Sequence, residues 1–226
     1  MAGGGVASSY DPLDSTQFTE RELRAAVEAA DDWGTYVMVH VYTPKGIQRS
    51  LRAGVKSIEH GQLADEDSVR MMADHGAWWS LQHFLQDEDS NVYPDAARRE
   101  SQRQVAEGTL RAYEMAQRFN VKTAWGTDIL FNPQNTPNQL RHLVKLTRFY
   151  DPLTALAMAT GRNGELLALC GPRNPYPGVL GKIEEGALAD LLLVDGDPSQ
   201  NLDFLHDPER NLTMIMKGGR VYKDRR

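Results

Sequence analysis

The 226-residue sequence predicts an α/β fold: part of a parallel βα barrel, followed by a small all-β element. Three observations carry this. Helical and strand-like segments alternate between Thr19 and Trp125. The apolar runs that read as strands lack clean in–out alternation, which suits strands covered on both faces of a parallel sheet. Beyond Gly171–Gly178 the texture changes, and turn residues separate short apolar runs with no helix between them.

A polar, turn-rich opening, Asp11-Pro12-Leu-Asp-Ser-Thr16, leads to Thr19-Glu-Arg-Glu22, a capping box that starts a helix. Leu23, Ala26, Val27 and Ala30 recur at helical spacing, and Gly34 suits the position past the helix end. Tyr36–His40 reads as a strand. A helix around Gly46–Arg52 then leads through Gly54 to a second strand, Val55–Glu59. Asp65 can cap a helix over Glu66–Asp74, and Ala77–Leu81 is the third apolar run. A long helix within Asp95–Arg118 precedes the fourth, Val121–Trp125. About four strands result, where a closed parallel barrel needs eight. Asn138–Phe149, Pro152–Ala159 and Gly164–Leu169 read as helices. Val179–Ile183, Asp190–Val194, Leu212–Met216 and Arg220–Tyr222 read as the strands of the tail. The division falls between 1–170 and 171–226.

Composition excludes several classes. With 19 glycines and 11 prolines the chain is neither collagen-like nor low-complexity. A net charge of −6 argues against a partner that is nucleic acid. One cysteine, Cys170, rules out an internal disulfide and an all-Cys zinc cluster, and it leans the chain toward the cytoplasm. It reads as a small buried hydrophobe. No run approaches the roughly 18 apolar residues of a membrane span, and the opening residues lack the basic start and apolar core of a signal peptide.

Two of the six histidines stand in equivalent places: His40 and His60 each close a strand at its C-terminal end, and Asp128 closes a third in Trp125-Gly-Thr-Asp128. In a βα barrel all strand C-termini meet on one face, where active sites form. Two imidazoles and a carboxylate suit Zn²⁺ or a similar divalent ion; the plainer reading of each is a hydrogen-bonded structural residue. Tyr42 alternates to the side of His40 and is either a substrate-binding hydroxyl or a rim residue. His83 lies near another strand end, open to packing or substrate contact. His75 reads as a cation at a helix C-terminus, and His142, beside Arg141 and Lys145, as part of a solvated face. His206 reads as surface. Trp33, Trp78, Trp79 and Trp125 read as core or pocket wall.

Val37-Met-Val-His-Val-Tyr-Thr43 and Gly54-Val-Lys-Ser-Ile-Glu-His-Gly61 resemble the amidohydrolase superfamily of metal-dependent hydrolases, in particular its imidazolonepropionase-like and Xaa-Pro dipeptidase-like group. Gly126-Thr-Asp128 resembles that family's eighth-strand aspartate. Gly178–Pro198 and Met216–Tyr222 resemble its C-terminal β-element. The resemblance implies a (β/α)8 TIM barrel represented here by strands five to eight, plus the C-terminal part of the family's composite β-domain. It makes His40 and His60 metal ligands. Asp128 becomes a ligand that also moves the proton, and Tyr42 contacts substrate. The implied reaction is cleavage of a C–N amide bond in a small peptide or acyl-amino acid by metal-activated water.

Two features depart from the family pattern. The sequence has no His-x-His pair, and Met1-Ala-Gly-Gly-Gly-Val-Ala-Ser resembles the stretch just after the family's fourth-strand lysine. The expectation is therefore the C-terminal half of such an enzyme, holding at most one metal ion, most simply Zn²⁺. Open barrel edges would favour a homo-oligomer, and the isolated chain would be a weak catalyst unless a second copy or a missing segment completed the ring. The alternatives are a non-catalytic assembly module, or a hydrolase of cyclic amides or esters on the same fold.

Overall fold

A computed structural model describes residues 1–129 and 133–225. The chain forms two compact units, Met1–Phe131 with Leu169–Arg173, and Asn132–Ala168 with Asn174–Arg226.

In the first unit, α1 (Glu20–Asp32), α2 (Pro44–Ala53), α3 (Glu66–Asp74) and α4 (Ala96–Arg118) alternate with β1 (Met38–Val41), β2 (Ser57–His60), β3 (Trp78–Leu81) and β4 (Lys122–Trp125). The strands form one parallel sheet in the order β1-β2-β3-β4. This is the predicted alternation, four strands of a βα barrel. The register explains the two faces. Val39, Ile58, Trp79 and Thr123 are paired in a row across the sheet, and all four are buried. One residue further along, the row is His40, Glu59, Ser80 and Ala124. Side chains alternate across a strand, so one face is an apolar core and the other carries the chemistry.

The α1 start is built as the sequence predicts. The Glu22 backbone N–H donates to the Thr19 hydroxyl at 3.4 Å, and the Thr19 N–H donates to the Glu22 carboxylate at 2.8 Å. Thr19→Ala removes this cap and is expected to cost about 1 kcal/mol in urea denaturation; an unchanged midpoint would show that the cap contributes nothing. His75 ends α3, its Nδ1 2.9 Å from the Met71 carbonyl, at the helix terminus expected for it.

The second unit holds α5 (Gln139–Val144), α6 (Pro152–Ala157) and α7 (Asn163–Ala168), with a single π-helical turn, Met158–Arg162, between the last two. It also holds an antiparallel sheet of β5 (Leu191–Val194), β6 (Leu212–Lys217) and β7 (Arg220–Asp224), with the short α8 (Pro208–Asn211) leading into β6. Leu146, Met158, Leu202, Phe204, Leu205 and Leu212 are among its buried apolar residues.

Several expectations are corrected. Val179–Ile183 forms only an isolated bridge, Val179 to Ala187, because Gly181 and Gly186 take left-handed backbone on either side of Ile183. His142 is buried at 7% exposure and not on a solvated face. Trp33 is 67% exposed, with the Arg173 guanidinium 5.8 Å from its ring, so it is neither core nor pocket wall. Cys170 is half-buried. Among the described residues no helix is long and apolar enough to cross a membrane.

Candidate active site

The ends of β1 and β2 bring His40 and His60 together, with ring centroids 4.4 Å apart and planes at 79°. Strand pleating alone does not do this. His40 lies on the face of Glu59, Ser80 and Ala124, whereas His60 is in phase with Ile58 on the opposite face. The backbone at His60 is left-handed, φ +73°, which breaks the pleat and turns the imidazole toward His40. Asp128 does not close a strand as expected, because β4 ends at Trp125; it lies in the loop beyond and shares this conformation, φ +51°. Histidine and aspartate tolerate it better than most residues, yet each instance costs on the order of 1–3 kcal/mol and such strain clusters at functional sites.

The histidine pair sits in a fixed surround. Tyr42 stacks on His60 at 4.9 Å and 17°, and meets His40 edge-on at 5.3 Å. Phe84 also stacks on His60, at 5.7 Å and 25°. The Trp79 indole N–H donates to the His60 carbonyl at 2.6 Å, and His60 Nδ1 lies 2.7 Å from the Gln82 side-chain oxygen. His40 Nε2 is 3.1 Å from the Gly4 carbonyl. A carbonyl only accepts, so Nε2 carries the hydrogen and Nδ1 the lone pair.

Burial keeps both imidazoles neutral. It pushes His60 down to about 3, helped by the neighbouring His40, and it also lowers His40. Burial, then the nearby Asp128 charge, raises the Tyr42 hydroxyl, which stays protonated and able to donate. Glu59 is raised by burial, against hydrogen bonds from Ser80 and Ser57. Asp128 has an exposed surface, yet the protein around its carboxyl strips enough water to push it up to about 6, with the Glu59 charge adding to this.

The sign of the Asp128 effect follows. Its unperturbed value is 3.8 and the folded value about 6, so between them the folded state holds a proton that the unfolded chain has released. This aspartate therefore destabilises the fold as pH rises from about 4 to 6, and the deficit persists above 6. In chelator-treated protein, Asp128→Asn is expected to gain stability relative to wild type across that window and then level off. Urea denaturation at pH 4, 5, 6 and 7 measures it, and a difference independent of pH would refute the assignment.

The structure thus gathers His40, His60 and Tyr42, and places Asp128 within electrostatic reach of Tyr42 and Glu59. His83 is buried and packs on Trp125, ring centroids 6.3 Å apart and Trp125 Nε1 3.5 Å from His83 Nδ1. Among the described residues, no three His, Cys, Asp or Glu side chains gather closely enough to hold a metal ion. Two neutral imidazoles in contact fit a divalent ion as two nitrogen donors of a larger set. Gln82, Glu59 and Phe84 escaped the sequence reading. Only the position of Gln82, beside the already flagged His83, pointed toward it.

Four parallel strands alternating with helices, with two imidazoles in contact at their carboxyl ends, define part of a βα-barrel protein whose site lies on the usual face. Residues 1–222 match the amidohydrolase family, and the chain belongs to it. Ochratoxinase of Aspergillus niger is 30% identical over 99% of this chain and 45% of its own length. Among solved structures, an amidohydrolase is 34% identical with a TM-score of 0.84, covering 99% of this chain and 53% of that one. A prolidase complexed with N-methylphosphonate-L-proline is 30% identical with a TM-score of 0.84, again over 99% and 53%. The chain spans about half the length of the relatives it matches.

Proposed function

We propose that this chain carries the metal- and substrate-binding half of a hydrolase that cleaves the C–N amide bond of a small peptide or acyl-amino acid. The contact of His40 with His60 at the ends of adjacent parallel strands carries the reading, and the prolidase and ochratoxinase relatives support an amide substrate. His40 and His60 are the nitrogen donors for a divalent cation, zinc by ligand preference. When bound, the cation supplies Lewis acidity and a water acidic enough to ionise near neutral pH.

The chain's own residues do the rest. Asp128, ionised at neutral pH and titrating near 6, accepts the proton of the attacking water and returns it to the departing amine. Tyr42, kept protonated, donates to the substrate carboxylate or to the oxygen that gains charge. His83 forms part of the substrate-facing wall with Trp125. A second copy of the chain is the proposed partner at β4, which ends the sheet. The β1 side is partly covered, because the Ala2 and Gly3 N–H groups donate to the His40 carbonyl at 2.9 and 3.2 Å.

The test loads the wild type, His40→Ala and His60→Ala with Zn²⁺, then assays amine release from Xaa-Pro dipeptides and N-acyl amino acids. Wild type is expected to take up the metal and release amine, and both variants to lose uptake and release together. No zinc uptake by wild type, or release undiminished in His60→Ala, overturns the reading.

A further inference from the structure

We propose that Gln82 is a positioning residue that fixes the tautomer of His60, holding the hydrogen on Nδ1 and presenting the Nε2 lone pair to a ligand; the ligand part rests on the metal-centred reading above. The Gln82 side-chain nitrogen stands 3.2 Å from the Ser80 carbonyl, which has no hydrogen to give. That contact is a hydrogen bond only with the amide nitrogen on that side. The amide oxygen is thereby turned toward His60, 2.7 Å from Nδ1. An amide oxygen only accepts, so Nδ1 must donate. A free histidine in water favours the opposite tautomer, with its hydrogen on Nε2.

The lock has its own support. Gln62 Nε2 donates to the Gln82 main-chain carbonyl at 3.1 Å, and both glutamines are buried, at 0% and 4% exposure. The His60 main chain is held by the Trp79 indole, and its ring by stacking on Tyr42 and Phe84. Imidazoles that bind metals through one nitrogen have that nitrogen chosen by what the other one donates to. Here a neutral side-chain amide makes the choice, and the main-chain carbonyl of Ser80 orients the amide.

Imidazole ¹⁵N correlation spectra of the metal-free chain test this directly, with the His60 signal assigned through His60→Ala. Wild type is expected to show His60 with its hydrogen on Nδ1. Gln82→Leu is expected to move it to Nε2, and Gln82→Glu, which still offers an acceptor, to keep it on Nδ1. In zinc titration Gln82→Leu should bind roughly 10–100-fold more weakly, and Gln82→Glu close to wild type. A purely structural role would lower stability without moving the tautomer. A wild-type hydrogen on Nε2, or an unchanged tautomer in a folded Gln82→Leu, overturns the proposal. If Gln82→Leu does not fold, the wild-type spectrum still decides. Expected tautomers without zinc uptake by wild type would end the metal-centred reading and leave the lock standing.

Discussion

Trp79→Ala is expected to destabilise the first unit by about 3–5 kcal/mol, the range for deleting a fully buried large aromatic side chain. Trp79 has 0% exposure in the middle of the core row between Ile58 and Thr123. Its loss opens a cavity in a surface with little freedom to collapse. It also removes the indole hydrogen bond to the His60 carbonyl, 2.6 Å, leaving that carbonyl without its donor. A β-carbon at Gly61 would stand 2.6 Å from the same indole nitrogen, so the indole packs tightly against the turn that follows His60. For a chain of this size the loss corresponds to a fall in Tm on the order of 10 °C. Trp79→Phe keeps most of the bulk and loses the bond, at about 1–3 kcal/mol. Thermal denaturation followed by tryptophan fluorescence and circular dichroism separates the two. A Trp79→Ala protein melting within 2 °C of wild type would mean that this residue anchors neither the core nor the histidine turn.

The same residue shows what a linear reading recovers. The Thr19 capping box, the Asp65 cap and the apolar runs ending at His40 and His60 are local signals, and the elements they predict are formed. That both histidines fall at the carboxyl ends of neighbouring parallel strands, His60 as the last residue of β2 and His40 one residue before the end of β1, is also local, once the alternation of helix and strand is seen. Their contact is not, because it depends on left-handed backbone at His60, which no pattern of residue types announces. Gln82 was hidden for another reason: an amide carries no charge and belongs to no metal-ligand motif, and its role exists only through Ser80 and His60. His142 misled because Arg141 and Lys145 suggest a wet face, whereas Leu143 and Val144 beside it in α5 are buried. The tail strand at Val179–Ile183 failed on its glycines, whose backbone preference outweighs the apolar side chains between them.

Gly108→Ala poses a contest of signs. In an exposed helix interior, replacing glycine by alanine gains about 1 kcal/mol from propensity. Gly108 lies inside α4, buried against the loop that follows β2. A β-carbon there would stand 2.2 Å from the Gln62 carbonyl oxygen and 3.0 Å from its carbon. Both contacts are backbone, so no side chain can swing away, and the helix or the loop has to move. Overpacking of this kind costs about 1–3 kcal/mol or somewhat more, and a rigid backbone on both sides places it at the upper end. The net expectation is a loss of about 2 kcal/mol, read as a lowered urea midpoint. The displaced loop carries Gln62, whose side chain holds the Gln82 carbonyl, so zinc affinity is expected to weaken along with stability. An alanine variant at least as stable as wild type would show that the loop yields freely, and Gln82 would then owe its placement to contacts other than Gln62.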